Sequence, residues 1–428
     1  MRRFDSHREL CHVPRVLPPE HASGLRAAPP GPVVAFILRL GQALHQYGTP
    51  AHRLEDQLRQ VSERFGVEAR FFTTPTSIFA SFGAPEALHT SLIRVEPGEM
   101  DLERLTLLDG LAQEVIHGKI SPEQGAERVE FILQSPARYG RAITLCCWMI
   151  SAGAAARLFG GGLREMGVAA VSSLAIGVLA QLTQSNLRAS RVLEPVAALL
   201  ASSLAVAAAS VLGPLSVQVA TLSGLIVLLP GLGLTVAINE LASRHLIAGT
   251  SRLTGAALVF LQLIFGVALG QRLAELLPMP PLLVPAAPLP FWTAVASLVV
   301  AALAVSVLFR ARPADIGWIV AAGALAFGGA RFGTRGLGSE LGAFVGALLL
   351  GMTSNVLARV RNRPAVITIV PGMMLLVPGS LGFRSLESLL ARDVVAGVGT
   401  AFSMLLVAVA IAAGLLFANV LVPSRRVL

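Results

Sequence analysis

Of the 34 basic side chains in this chain of 428 residues only Lys119 is a lysine, and charged residues of either sign make up just 14% of the sequence. The near absence of lysine reflects codon usage rather than chemistry. The scarcity of charge says more, because it is uneven. Residues 1–141 carry a charge every few positions, whereas beyond Arg141 whole windows hold no Asp, Glu, Lys or Arg. With 54% hydrophobic residues the chain is too apolar to be water-soluble at this size. It reads as a soluble N-terminal part followed by a longer membrane part.

Three cysteines exclude a disulfide framework, and the adjacent Cys146 and Cys147 at the start of an apolar run point to no metal site. There is no HExxH, GxSxG or GxxxxGK stretch, which argues against a zinc protease, a serine hydrolase of that type and an ATP-driven pump. No cofactor is implied. Residues 1–30 lack a continuous apolar core, which excludes a secretory signal peptide within them and leaves a disordered basic tail. Nor does the formal charge of +9 imply nucleic acid, since the arginines sit at the ends of apolar windows, where they orient spans and meet membrane lipid.

What is present falls into order along the chain. Apolar residues at helical spacing predict helices over 33–48 and 50–66, followed by three short strands at 67–72, 77–82 and 89–95. Asp101 caps a third helix running to about His117, and Ser121 with Pro122 and Glu123 starts a fourth ending near Gln134. His45 and His52 lie two helical turns apart, with no second pair of ligands at matching spacing, and read as a surface pair rather than a metal site. The expected organisation is a tail at 1–30, a cytoplasmic α+β domain at 31–140, a first five-span repeat at 141–277, a Pro-rich linker at 278–290 and a second five-span repeat at 291–428.

Ten transmembrane helices are expected, because the charge-free windows number nine and the window 195–239, interrupted at Gly213-Pro214, is long enough for two. The repeat rests on paired punctuation. Residues 230–249 and 378–397, set 148 residues apart, both open on Pro-Gly and close on Ala-Gly, and the same offset brings each of the first five spans near one of the second five. Five is odd, so the halves would enter from opposite sides as an inverted repeat. Arginines favour the connections that share a side with the N-terminal part, among them Arg310, Arg312, Arg359, Arg361 and Arg363, which places both termini in the cytoplasm.

Proline removes a backbone donor and glycine releases the chain from helical geometry, so breaks inside spans survive where they face protein or a wet cavity. The candidates for substrate binding are therefore Pro230, Gly231 and Gly233 in the fourth span and Pro371, Gly372, Pro378 and Gly379 in the ninth. Ser223, Thr235 and Asn239 lie near the first break, Thr368 and Ser380 near the second, and Asn355 in the eighth span is costly to bury. The plainer alternatives stand beside these: Pro-Gly pairs kink helices, and Ser or Thr often bonds its own backbone. No carboxylate is expected inside any span, so coupling or gating falls to the edges, to Glu240 with Arg244 and to Glu387, Arg392 and Asp393, or else these are interfacial salt bridges. Arg384 is a further candidate for an anionic substrate.

The run FILRLGQALHQYGTPAHRLEDQLRQVSERFG, the stretch FFTTPTSIFASF and the segment LIRVEPGEMDLERLTLLDGLAQEVIHGKISPEQG, followed by ten spans, resemble the threonine/serine exporter family over residues 33 to about 420. Thr74-Pro-Thr-Ser-Ile78, Arg94-Val95 leading to Leu102-x-Arg-Leu105, and the turn from Gly118 to Ser121 are the most specific pieces. Asp101 stands where the family pattern leads one to expect asparagine. The resemblance implies proton-driven export, by antiport, of small hydroxy amino acids from the cytoplasm across a bacterial inner membrane, with threonine, serine and protons as partners. It also keeps succinate as an alternative substrate, and a passive channel is the rival class. The N-terminal domains of the family have been likened to hydrolases, but no clear His and Asp partners accompany Thr74 to Ser77, so a gate, a regulatory domain or a dimerisation module, and with it a homo-oligomer, is expected there instead of an enzyme.

Overall fold

Pro32 and the apolar stripe Phe36, Ile37, Leu40 and Leu44 open the first helix of a computed structural model that describes residues 31–83, 88–213, 215–274, 289–376, 378–390 and 393–423. The expected tail, all of the Pro-rich linker but its last two residues, and Arg392 lie outside the described residues. Helices α1 (Pro32–Gln46) and α2 (Ala51–Arg64) precede strands β1 (Ala69–Thr74), β2 (Ser77–Phe82) and β3 (His89–Arg94). The strands form one antiparallel sheet in the order β1-β2-β3, with Phe71 opposite Ala80 and Ile78 opposite Ile93. Helices α3 (Leu102–Ile116) and α4 (Pro122–Gln134) close this segment. Asp101 caps α3 by accepting from the Arg104 N–H at 2.9 Å, and Ser121 and Gln124 form a reciprocal capping box on α4.

The apolar part begins with α5 (Arg141–Leu158), α6 (Leu163–Thr183), a single turn α7 (Leu187–Ser190) and α8 (Leu193–Leu212). Two short helices follow, α9 (Val217–Gly224) and α10 (Gly231–Ala242), then α11 (Leu246–Ala274). The remainder comprises α12 (Phe291–Leu308), α13 (Pro313–Leu337), α14 (Ser339–Arg361), α15 (Val366–Leu376), α16 (Pro378–Leu390) and α17 (Val394–Leu421). Among the described residues eight helices, not ten, are long and apolar enough to cross a membrane; one of these runs over both α15 and α16. The shortfall has physical causes. Helix α5 starts on Arg141, nearly ends on Arg157 and is filled with small residues at 151–156, while the expected fourth span is divided into two helices, neither of which reaches across hydrocarbon alone.

Packing repeats between the two groups of helices. Helix α8 packs on α11 as α14 does on α17, and α9 lies against α6 and α8 as α15 lies against α13 and α14. The closest approaches repeat too: a Cβ on Gly266 of α11 would strike the Pro195 carbonyl at the start of α8, and one on Gly414 of α17 would strike the Phe344 carbonyl near the start of α14. Small residues let helix backbones meet in this way where no hydrophobic drive exists. The N-terminal segment joins the helices directly. Its core residues Phe36, Leu40 and Leu54 are continuous with Ile319, Leu350 and Ile367, whereas Ile176, Leu263 and Phe260 form a second core that takes in Phe383 of α16.

Candidate functional site

The first break is an interruption of helix. Between α9 and α10 residues 225–230 form turns, and the Leu234 N–H returns to the Pro230 carbonyl at 2.9 Å to start α10. The second differs. Pro371 sits inside α15 without ending it, and Pro378 starts α16 after residue 377, which lies outside the described residues. Half-helices that end within a membrane leave terminal N–H and C=O groups without intrahelical partners.

Residues from both breaks line one cavity of about 460 Å³: Ile226 and Val227 from the first, Met374, Leu375, Leu376 and Ser380 from the second. Trp148 and Phe159 supply aromatic walls, Thr144 and Ser151 supply hydroxyls, and Glu99 and Met100 of the N-terminal segment close one end. A second cavity of about 500 Å³ lies between the N-terminal segment and the helices. It is lined by His52, Arg53, Asp56, Thr235, Asn239 and Met373, and again by Met100.

The expected site residues divide accordingly. Ser380 faces the first cavity, and Thr235 and Asn239 face the second, so no single cavity gathers the whole set. Thr235 donates to its own helix at the Gly231 carbonyl, 3.0 Å away, while the buried Oδ1 of Asn239 and the Oγ of Ser223 have no hydrogen-bond partner among the described residues. Thr368 donates to Ser354 at 2.8 Å, and Asn355 ties α14 to α17 by donating to Asn419 Oδ1 and the Val422 carbonyl, both at 2.8 Å. These last two are used in packing. Gly372 lies where an added Cβ would meet Leu350, whereas Gly233 has open space beside it. Pro230, Gly231, Pro371, Pro378 and Gly379 shape the breaks through their backbone positions. Glu387 lies in α16, and Arg384 is exposed with its guanidinium 5.9 Å from the Phe159 ring centre.

Glu240 departs most from expectation. Its side chain is wholly buried in α10; Oε1 accepts from the Ala51 N–H of α2 at 2.9 Å, and Arg252 of α11 approaches Oε2 at 3.0 Å. The expected partner Arg244 is exposed instead in a left-handed turn at φ 65° that closes α10. Asp393 is exposed and caps α17 through the Ala396 N–H at 3.1 Å. Two further buried carboxylates contradict the expectation of charge-free helices. Glu165 in the first turn of α6 accepts from Gly162 N and Ser216 N, each at 2.8 Å, and Asp315 in the first turn of α13 pairs with Arg312 at 3.4 Å and Arg363 at 3.1 Å. In each half a buried carboxylate thus ties the start of one helix to the chain entering the broken one. Their separation lies close to the repeat offset, which is the signal that could have found them.

His45 and His52 do not form a surface pair. His45 is buried, with Nε2 2.7 Å from the Thr74 carbonyl, and His52 lies 5.9 Å, ring to ring, from His245 at the start of α11. Burial, with the nearby positive Arg53, pushes the His52 pKa down to about 3, and burial lowers that of His45. Glu55 completes the junction, accepting from Thr73 N and Oγ1 at 2.8 Å and reaching His245 Nε2 at 3.4 Å. Asp101 and Glu99 pair with Arg310 beyond α12, at 3.5 and 2.6 Å. Thr74 Oγ1 and Ser77 Oγ lie 2.7 Å apart and satisfy one another.

Two family models match the chain: one described as "Putative threonine/serine exporter" over residues 35–274, and one as "Threonine/Serine exporter, ThrE" over residues 294–421. Similar curated proteins include a "Pheromone-regulated membrane protein 10" of Eremothecium gossypii, 26% identical over 82% of this chain and 48% of its own length. Proteins of the same description from Kluyveromyces lactis (31% identical, 56% of this chain, 25% of the relative) and Candida albicans (25% identical, 82% and 33%) are also similar. The chain spans about half the length of these relatives, or less. No solved structure matches.

Proposed function

Because the chain belongs to the threonine/serine exporter family, a family of membrane exporters, we propose that it is a secondary transporter that moves threonine and serine out of the cytoplasm by antiport with protons. The observation that carries this reading is the single cavity lined by residues of both helix breaks. Half-helix ends near this cavity offer partial charges to a zwitterion, the N-terminus of α16 to its carboxylate and the C-termini of α9 and α15 to its ammonium.

An inverted repeat fits the packing of α5 against α12. Tyr139, just before α5, donates to the Ala311 carbonyl, just after α12, at 2.8 Å, while Arg157 near the end of α5 donates to Thr293 near the start of α12 at 2.6 Å. The first helices of the two halves therefore run antiparallel. In this reading α5 and the α9–α10 pair complete ten spans, the membrane is a bacterial inner membrane, and the N-terminal segment and both termini are cytoplasmic. Glu240 is the proposed coupling carboxylate, since it joins α10, α11 and the N-terminal segment.

The test is efflux of labelled threonine and serine from proteoliposomes with an imposed proton gradient, with and without an uncoupler, and with succinate in parallel. Saturable efflux of both amino acids that the uncoupler abolishes is expected. Non-saturating flux indifferent to the uncoupler would establish a channel, succinate efflux alone would establish a dicarboxylate exporter, and no flux of any solute would overturn transport.

A further inference from the structure

The cavity between the N-terminal segment and the helices holds polar groups that no described residue satisfies. Arg53 of α2 lines it without a carboxylate within ion-pair distance among the described residues, although Asp56, one turn on, pairs with Arg59 at 2.8 Å. A part-buried guanidinium without an anion is uncommon, because removing charge from water is expensive unless it is paired. Burial holds the Arg53 pKa below its ordinary value, so the group lacks the stabilisation a native carboxylate would give. Among the described residues no donor reaches the buried Asn239 Oδ1 of the same cavity, and the buried His52 Nδ1 has no partner either. Buried polar atoms are normally hydrogen-bonded, so unmatched groups at one cavity call for a ligand that matches them.

The pattern specifies that ligand. The cation needs a carboxylate, and Asn239 Oδ1 needs an N–H or O–H donor. Asp56 makes a second carboxylate unwelcome and an ammonium acceptable. We infer that this cavity is a binding site for a small α-amino-acid zwitterion, with Arg53 of the N-terminal segment taking the carboxylate and Asn239 of α10 taking the ammonium or a side-chain hydroxyl. A volume of about 500 Å³ suits such a solute together with water. The site rests on the exporter reading and deepens it, because the N-terminal segment then supplies part of the recognition, and a dicarboxylate would meet one cation and one anion. His52, kept neutral beside Arg53, leaves the guanidinium as the cavity's only cation among the described residues.

The experiment is threonine binding to the purified full chain in nanodiscs, paired with efflux from proteoliposomes, for the wild type, Arg53→Gln, Arg53→Lys and Asn239→Ala. Arg53→Gln should weaken threonine binding and raise the half-saturating concentration for efflux by tenfold or more, with Arg53→Lys recovering part of the loss. Threonine amide, which has no carboxylate, should bind wild type and Arg53→Gln alike, a readout that misfolding would not reproduce. Asn239→Ala should weaken threonine binding while leaving the preference of threonine over its amide intact. If Arg53→Gln binds and exports threonine as the wild type does, the site is overturned and the exporter reading stands. Succinate competing as well as threonine would overturn the zwitterion assignment, and a wild type that neither binds nor exports threonine would overturn both readings.

Discussion

The two helix breaks share a Pro-Gly signature but not a structure. The first replaces helix by turns over residues 225–230, whereas the second carries Pro371 within α15 and resumes helix at Pro378. Their surroundings differ as well. The helix after the first break reaches the N-terminal segment through Glu240, and the helix after the second joins the core of the first half through Phe383. Helix packing is thus shared between the two groups of helices while the breaks diverge.

The packing equivalence can be broken most severely at its tightest contacts. Gly266→Val and Gly414→Val each push a side chain into a backbone carbonyl that cannot turn aside, and each should cost about 3 kcal/mol. Thermal unfolding in detergent should show matching losses, and a large loss in one half only would end the equivalence. Next comes the asymmetric contact. Glu240→Ala removes the acceptor of Ala51 N–H and leaves Arg252 unpaired, at a cost of about 3 kcal/mol. Limited proteolysis of the N-terminal segment should accelerate, and unchanged cleavage would show that Glu240 does not hold the two parts together.

The junction should also respond to pH. The folded-state pKa of His52 lies near 3, below its free value of about 6.5, so the undocked form binds more protons in acid. Docking is fully stabilised above about pH 6.5 and weakens as pH falls from there toward 3; His45 has the same sign. Hydrogen-exchange protection of α2 at pH 7.5 and 5.5, each referred to the intrinsic exchange rate at that pH, should be lower in acid, with a smaller difference in His52→Gln, and equal protection at both values would remove His52 from the junction's pH response. The smallest effect separates the breaks by sign. Gly233→Ala has room and should stabilise α10 by up to about 1 kcal/mol, whereas Gly372→Ala must displace Leu350 and should destabilise by about 1 kcal/mol. Unfolding midpoints shifting in the same direction would mean that the two breaks are equivalent after all.

Much of this architecture is legible in the sequence where the signal is local. Asp101 and Ser121 announce their helices through caps, and the strands follow from β-branched and aromatic runs. Pro230-Gly231 marks the first break because a missing donor acts on the adjacent turn. What the sequence conceals depends on distant partners. Taking each charge as the end of a span leaves Glu165 and Asp315 outside the helices they begin, since nothing nearby shows that Ser216 N–H or Arg363 will pay for their burial. His45 in α1 and His52 in α2 look like an exposed pair by spacing, but the strand bearing Thr74 covers the first and His245, just before α11, covers the second. Arg53 escapes notice for the same reason: an arginine among charges looks ordinary until its partners fail to appear.

Met100 borders both cavities, one lined by the helix breaks and one by the N-terminal segment. A solute passing from one to the other would cross an unbranched thioether side chain that can swing aside without disturbing the backbone. The loop bearing it is anchored by Glu99 on Arg310 and by the Leu102 N–H on the Phe309 carbonyl at 2.9 Å. Removing the N-terminal segment would therefore not leave the helices' cavities intact: it would strip away a wall that the two chambers share.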